Sequence, residues 1–184
     1  MSLKKAYRKI ISFLNENKID YLVIGGVASG LLGEPRFTMD IDICLFVKKK
    51  DIKSLIEKLE EAGFDLDKKQ IKERIKLSQT FRVFCKDIPI DFILSSTEFE
   101  KEALKRKQII KFQGVKANFP SVEDFIVFKI ISAREKDIAD AKATFIRHKE
   151  RLNISYIEKW IKKFCEMAQS LIYWNNFKKI MEKE

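Results

Sequence analysis

Two apolar segments of this chain carry carboxylates where a buried strand should carry none. Residues 40–47 read DIDICLFV and residues 88–95 read IPIDFILS. Both are short, rich in β-branched and aromatic residues, and read as strands. Side chains alternate across a strand, so Asp40 and Asp42 leave the same face, about 6–7 Å apart along it. A buried carboxylate without a partner costs several kcal/mol. A lone D-x-D is common in loops and caps and usually binds no metal, but three acids in otherwise apolar strands, Asp40, Asp42 and Asp91, are harder to dismiss as structural. If the two strands lie side by side, the three acids converge on one edge of a sheet. Like charges held that closely call for a positive partner, and an oxygen-only ligand set suits a hard divalent cation such as Mg²⁺ or Mn²⁺. Such a set can serve in-line phosphoryl or nucleotidyl displacement.

The stretch before the first acids supplies a second element. YLVIGG (21–26) is an apolar run ending in Gly25–Gly26, and VASGLLG (27–33) reads as a short helix closed by Gly33. Glycine lets the backbone approach a phosphate, and a helix N-terminus offers free N–H groups and a favourable dipole. Ser29, in the first turn, is a candidate hydroxyl donor to the same anion.

The remaining elements follow from periodicity and caps. Leu3, Tyr7, Ile10, Ile11 and Leu14 predict an amphipathic helix over 3–17. Asp51 and Gly63 bracket another helix. Residues 65–79 are basic and weakly patterned. TFRVFCKDIPIDFILSS (80–96) predicts two strands joined by a turn at Lys86–Asp87, and TEFEKEALKRK (97–107) a helix. QIIKFQGVKANFPS (108–121) predicts a hairpin with Gly114 near its tip. Ser121 starts an apolar helix, a second helix follows from about Asp137, and one long helix is expected from about Ser155 to Lys183. The apolar positions of that last helix exceed a single stripe, so it is expected to pack on the body and to offer an interface for a second copy or a partner. The expected organisation is an α/β (α+β) mixed-sheet core over residues 1–120, with a helical part over 121–184 packed on it.

Bulk properties bound the class. The three cysteines lie far apart and His148 is the single histidine, so neither a disulfide framework nor a zinc site is expected. The N-terminus lacks a signal-peptide pattern and no apolar run is long enough to cross a bilayer, which reads as a soluble cytoplasmic protein. The formal charge of +10 favours polyanionic partners, although only eight of the 37 basic residues are Arg. A Lys/Glu-rich, Ile-rich surface is also what a thermophilic protein presents.

The strand, Gly-Gly and Asp-Ile-Asp in this order resemble the signature of the DNA polymerase beta-like nucleotidyltransferase superfamily. EPRFTMDIDICL (34–45) is similar to the R-x-T-x-D-x-D form of its minimal bacterial and archaeal members, including AbiEii-type toxins. PSVEDFIVFKIISAREKDIADAKATF (120–145) resembles a second block of that group. The resemblance implies a nucleotidyltransferase-like mixed sheet flanked by helices. It implies Mg²⁺-dependent transfer of a nucleoside monophosphate from an NTP to a hydroxyl. Asp40, Asp42 and Asp91 would ligate metal, with Asp91 also the base. Gly25, Gly26, Ser29, Arg36 and Thr38 would meet the nucleotide. Lys129 reads either as a snorkelling lysine or as a phosphate contact, and the resemblance favours the second; Lys136, with Asp137 and Asp140, would line the same cleft. Many superfamily members carry Gly-Ser where this chain has Gly25–Gly26, which removes one hydroxyl. RNA, tRNA in particular, is the expected acceptor, with a protein side chain or an aminoglycoside as alternatives. A toxin–antitoxin setting with an antitoxin partner is also implied. The alternative is a catalytically weak or inactive nucleotide-binding module that regulates or binds a partner.

Overall fold

A computed structural model describes residues 1–182 of the chain. Its contacts divide into two compact units, Met1–Val27 with Phe37–Phe119, and Ala28–Arg36 with Pro120–Glu184.

The first unit is built on a four-stranded mixed sheet. In chain order it contains α1 (Leu3–Glu16), β1 (Asp20–Ile24), β2 (Ile41–Phe46), α3 (Ile52–Glu61), α4 (Lys68–Ser78), β3 (Thr80–Cys85), β4 (Ile88–Leu94), α5 (Glu98–Lys105), β5 (Gln108–Phe112) and β6 (Val115–Phe119). Helix α2 (Gly25–Leu32) follows β1 directly and its later turns belong to the second unit. The sheet order is β1-β2-β4-β3, with β5 and β6 forming a separate hairpin. β2 and β4 run parallel, and the outer strands are antiparallel to their neighbours.

Alternation fixes which side chains reach the core. Phe81, Val83 and Cys85 of β3 and Ile90, Phe92 and Leu94 of β4 are buried. Arg82 and Asp91 therefore leave the opposite face of the sheet. α1 buries Ala6, Tyr7, Ile10, Ile11, Phe13 and Leu14, the face its 3.6-residue period predicts. Gly63, at φ +71°, ends the α3 segment in the left-handed conformation that glycine adopts without strain.

α4 occupies the stretch whose sequence shows little pattern. Asp67 caps it by accepting from the Lys69 and Gln70 amides, and Ile71 is its single fully buried side chain. A helix anchored by one buried residue leaves a faint apolar period.

The second unit is helical, with α6 (Val122–Ser132), α7 (Glu135–His148), α8 (Ile154–Ala168) and α9 (Ile172–Met181). Ser121 caps α6, accepting from the Asp124 amide. The expected single C-terminal helix is two helices. Gln169 takes the left-handed conformation at φ +49° and closes α8, and the Ser170 hydroxyl accepts from the Ile172 amide to begin α9. No glycine or proline marks the break. Ile157, Trp160, Ile161 and Cys165 of α8 and Phe177 and Ile180 of α9 are buried. Lys183, the expected end of that helix, lies outside the described residues. Among the described residues, no helix is long and apolar enough to cross a membrane.

Candidate active site

The sheet register puts one row of side chains across the first unit. Ile24 lies opposite Asp42, Asp42 opposite Asp91, and Asp91 opposite Arg82. Parallel neighbours in register carry their side chains on the same face at the strand spacing of about 4.8 Å. Asp40 stands one residue before β2 begins, two before Asp42, and reaches the same side. One oxygen from each of Asp40, Asp42 and Asp91 lies within 4.8 Å of the others, and all three residues are half-buried.

Arg82 is the countercharge. Its Nε donates to Asp91 Oδ1 at 2.8 Å and its Nη2 to Asp91 Oδ2 at 2.7 Å, a bidentate pair. These hydrogen bonds hold the guanidinium's pKa above its ordinary value, against some loss from burial, and the charges of Asp91, Asp40 and Asp42 add to the effect. Among the described contacts, the Arg82 guanidinium reaches Asp91 and the Thr38 hydroxyl reaches Asp40. Three oxygens at this separation, partly open to solvent and with no nitrogen or sulfur donor in the group, suit Mg²⁺ or Mn²⁺.

The two glycines are explained by what lies against them. Gly25 has φ +64°, and a Cβ there would sit 1.8 Å from Asp42 Oδ2. The carboxylate thus occupies the space that any other residue at 25 would fill. A Cβ at Gly26 would lie 2.4 Å from Thr38 Oγ1. The Thr38 hydroxyl, which donates to Asp40 Oδ1 at 2.7 Å, fills the place of a serine side chain at 26.

The other expected nucleotide contacts fall in the second unit. Lys129 is buried, and its Nζ donates to Asp137 Oδ1 at 2.7 Å and to Asp140 Oδ2 at 2.8 Å. Ser29 is buried and donates to Asp140 Oδ2 at 2.8 Å. Arg36 donates through Nε and Nη2 to the same carboxylate at 3.0 and 3.1 Å. Asp137 also accepts from Ser132 and Arg134. Burial pushes the carboxyl groups of Asp137 and Asp140 up. Hydrogen bonds from Lys129, Ser132 and Arg134 to Asp137, and from Arg36, Lys129 and Ser29 to Asp140, outweigh it and hold both below the ordinary value. Lys136 is exposed on α7. The sequence-predicted residues therefore form two groups, the acids with Gly25, Gly26 and Thr38 in one unit and Ser29, Arg36, Lys129 and Lys136 in the other.

Arg82 was not legible as a lone basic residue in a strand. The signal was the two-residue turn at Lys86–Asp87, which makes paired positions sum to 173 and so sets Arg82 across from Asp91.

A strand ending in a glycine turn, a helix, and a parallel pair of strands bearing three acids are consistent with a nucleotidyltransferase fold of the DNA polymerase beta type. The chain belongs to the family described as "Nucleotidyltransferase of unknown function (DUF6036)", whose model matches residues 2–183. No curated protein sequence matches it. Among solved structures it is similar to the antibiotic-resistance factor ANT(2'')-Ia in solution, at 14% identity and TM-score 0.60, covering 95% of this chain and 97% of that one. A crystal structure of ANT(2")-Ia with adenylyl-2"-tobramycin aligns at 15% identity and TM-score 0.58 over 97% and 99% of the two chains. The lincosamide antibiotic adenylyltransferase LnuA, bound to lincomycin, aligns at 15% identity and TM-score 0.54 over 78% and 96%. At these identities the likeness is one of fold.

Proposed function

We propose that this chain transfers a nucleoside monophosphate from an NTP to an acceptor hydroxyl and releases pyrophosphate. The observation that carries the reading is the meeting of Asp40, Asp42 and Asp91 around a space fit for a cation, beside a glycine held in the left-handed conformation. In the reaction the acceptor oxygen bonds to the α-phosphorus, the bond from that phosphorus to the β-bridging oxygen breaks, and pyrophosphate leaves. Asp40, Asp42 and Asp91 would hold Mg²⁺ or Mn²⁺, which when bound neutralises charge on the phosphates. Asp91 would take the proton of the acceptor hydroxyl, positioned by the bidentate Arg82. Gly25 and Gly26 offer backbone N–H groups at the start of α2 to the triphosphate, and Thr38 adds a hydroxyl. The other residues expected at the nucleotide, Ser29, Arg36, Lys129 and Lys136, lie in the second unit, where Ser29, Arg36 and Lys129 all donate to Asp140.

Two acceptor classes are compatible with this chemistry. The net charge of +10 favours RNA. The fold neighbours that modify antibiotics favour a hydroxyl-bearing small molecule. Incubation with each α-labelled NTP, Mg²⁺ and, separately, total RNA, tobramycin and lincomycin distinguishes them. Label is expected on one acceptor class and lost in Asp40→Ala/Asp42→Ala. Transfer that survives the double substitution removes these acids from the mechanism. Absence of transfer to every acceptor, with NTP still bound, converts the protein into a nucleotide-binding module.

A further inference from the structure

A second feature of the first unit plays no part in this chemistry. Between α3 and α4 lies a groove of about 720 Å³, within the range of ligand-binding clefts. Its floor is aliphatic, formed by Ile52 and Ile56 from α3 and Ile75 from α4. Lys49 and Lys53 stand along one wall, and Lys68, Lys72 and Lys76 along the other. Glu57 is the one acid lining it. The spacing on each wall is three or four residues, so each helix turns one stripe of mixed Ile and Lys toward its neighbour. The ion pair between Lys68 and Glu60 ties the start of α4 to the end of α3. The groove lining includes none of the three acids. β2 rises about 13 Å from Asp42 to Phe46 before the groove begins at Lys49.

We propose that this groove docks an acidic amphipathic helix of a partner protein. An aliphatic floor takes the apolar stripe of such a helix. Lysines on both long walls meet carboxylates on its two flanks. The α4 wall from Lys68 to Lys76 is about 12 Å long, a little over two helical turns. The distribution of charge selects this occupant. A fatty acid or lipid has one anionic head and would be met by lysines clustered at one mouth. A single nucleic-acid strand needs aromatic or guanidinium planes for its bases, and the lining has neither. Docking here is independent of nucleotidyl transfer.

The test uses the full chain and a stapled peptide of about three turns, with leucines on one face and glutamates on its flanks. Fluorescence anisotropy is expected to show saturable binding of this peptide and none of a counterpart with lysine flanks. Lys72→Glu/Lys76→Glu, at exposed positions, is expected to weaken binding at least about tenfold with circular dichroism unchanged. Ile56→Asp is expected to abolish it. Amide shifts of the bound protein should fall on α3 and α4 and spare the residues around Asp40. The proposal is overturned by equal binding of both peptides, by binding that the lysine substitutions leave unchanged, by shifts elsewhere, or by no binding of the acidic peptide. An RNA oligonucleotide that displaces the peptide and binds more tightly also overturns it.

Discussion

Two clusters of buried or half-buried charge among the described residues are built on opposite terms. In the first unit, Asp40, Asp42 and Asp91 lie beside the Arg82 guanidinium, and all three are half-open to solvent. In the second, Asp137 and Asp140 meet Lys129, Arg36 and Arg134, and their carboxylates are almost fully enclosed. Three carboxylates that meet within 4.8 Å and stay partly open to solvent can be reached by a cation from solution. The contrast separates a cluster that solvent and a cation can reach from an enclosed network whose hydrogen bonds orient and stabilise.

The largest effect that can break this comparison lies in the closed cluster. Lys129→Met strips two enclosed carboxylates of their shared partner, and unfolding in urea is expected to show a loss of about 3–5 kcal/mol. A loss near zero would mean that the network is open to water. Gly25→Ala comes next. It forces a non-glycine residue to φ +64° and sets a Cβ against Asp42. It is expected to cost about 2 kcal/mol or more, and to weaken divalent-metal binding through displacement of the Asp42 side chain.

The closed cluster also predicts the response to acid. Asp137 and Asp140 titrate below their ordinary value of 3.8 in the folded protein. Their stabilisation is therefore complete above that value and fades as pH falls through the lower folded values. Urea midpoints should be flat near neutrality and fall below about pH 4, with a shallower fall in Lys129→Met. The smallest effect concerns Arg82, which is partly exposed, so its pair with Asp91 contributes about 1 kcal/mol at most. Arg82→Gln is expected to lower metal-free stability by that amount. It should enlarge the thermal stabilisation given by Mn²⁺, because a competing cation has gone.

Much of this arrangement was legible before the structure. The strands announced themselves by apolar alternation, the caps Ser121 and Gly63 by residue type, and the meeting of three acids by the two-residue period of a strand. What was not legible depended on sparse burial or on unusual backbone at ordinary residues. α4 buries only Ile71 fully, so its period is faint. The break between α8 and α9 rests on Gln169, which carries no punctuation of its own. Lys129 showed as a charge in an apolar helix, but its partners Asp137 and Asp140 are one helix away, and their distance from it is a property of the helix turn. Thr38 as the hydroxyl beside Gly26 required knowing how the 34–40 segment returns.

The central claim is that Asp40, Asp42 and Asp91 share a bound divalent cation. Titration of the protein with Mn²⁺, followed by the enhancement of water-proton relaxation, tests it most directly. Saturable binding by the wild type that is lost in Asp42→Asn and in Asp91→Asn, with the fold intact by circular dichroism, is the predicted result. Binding that both substitutions leave unchanged would place the ion elsewhere and contradict the account.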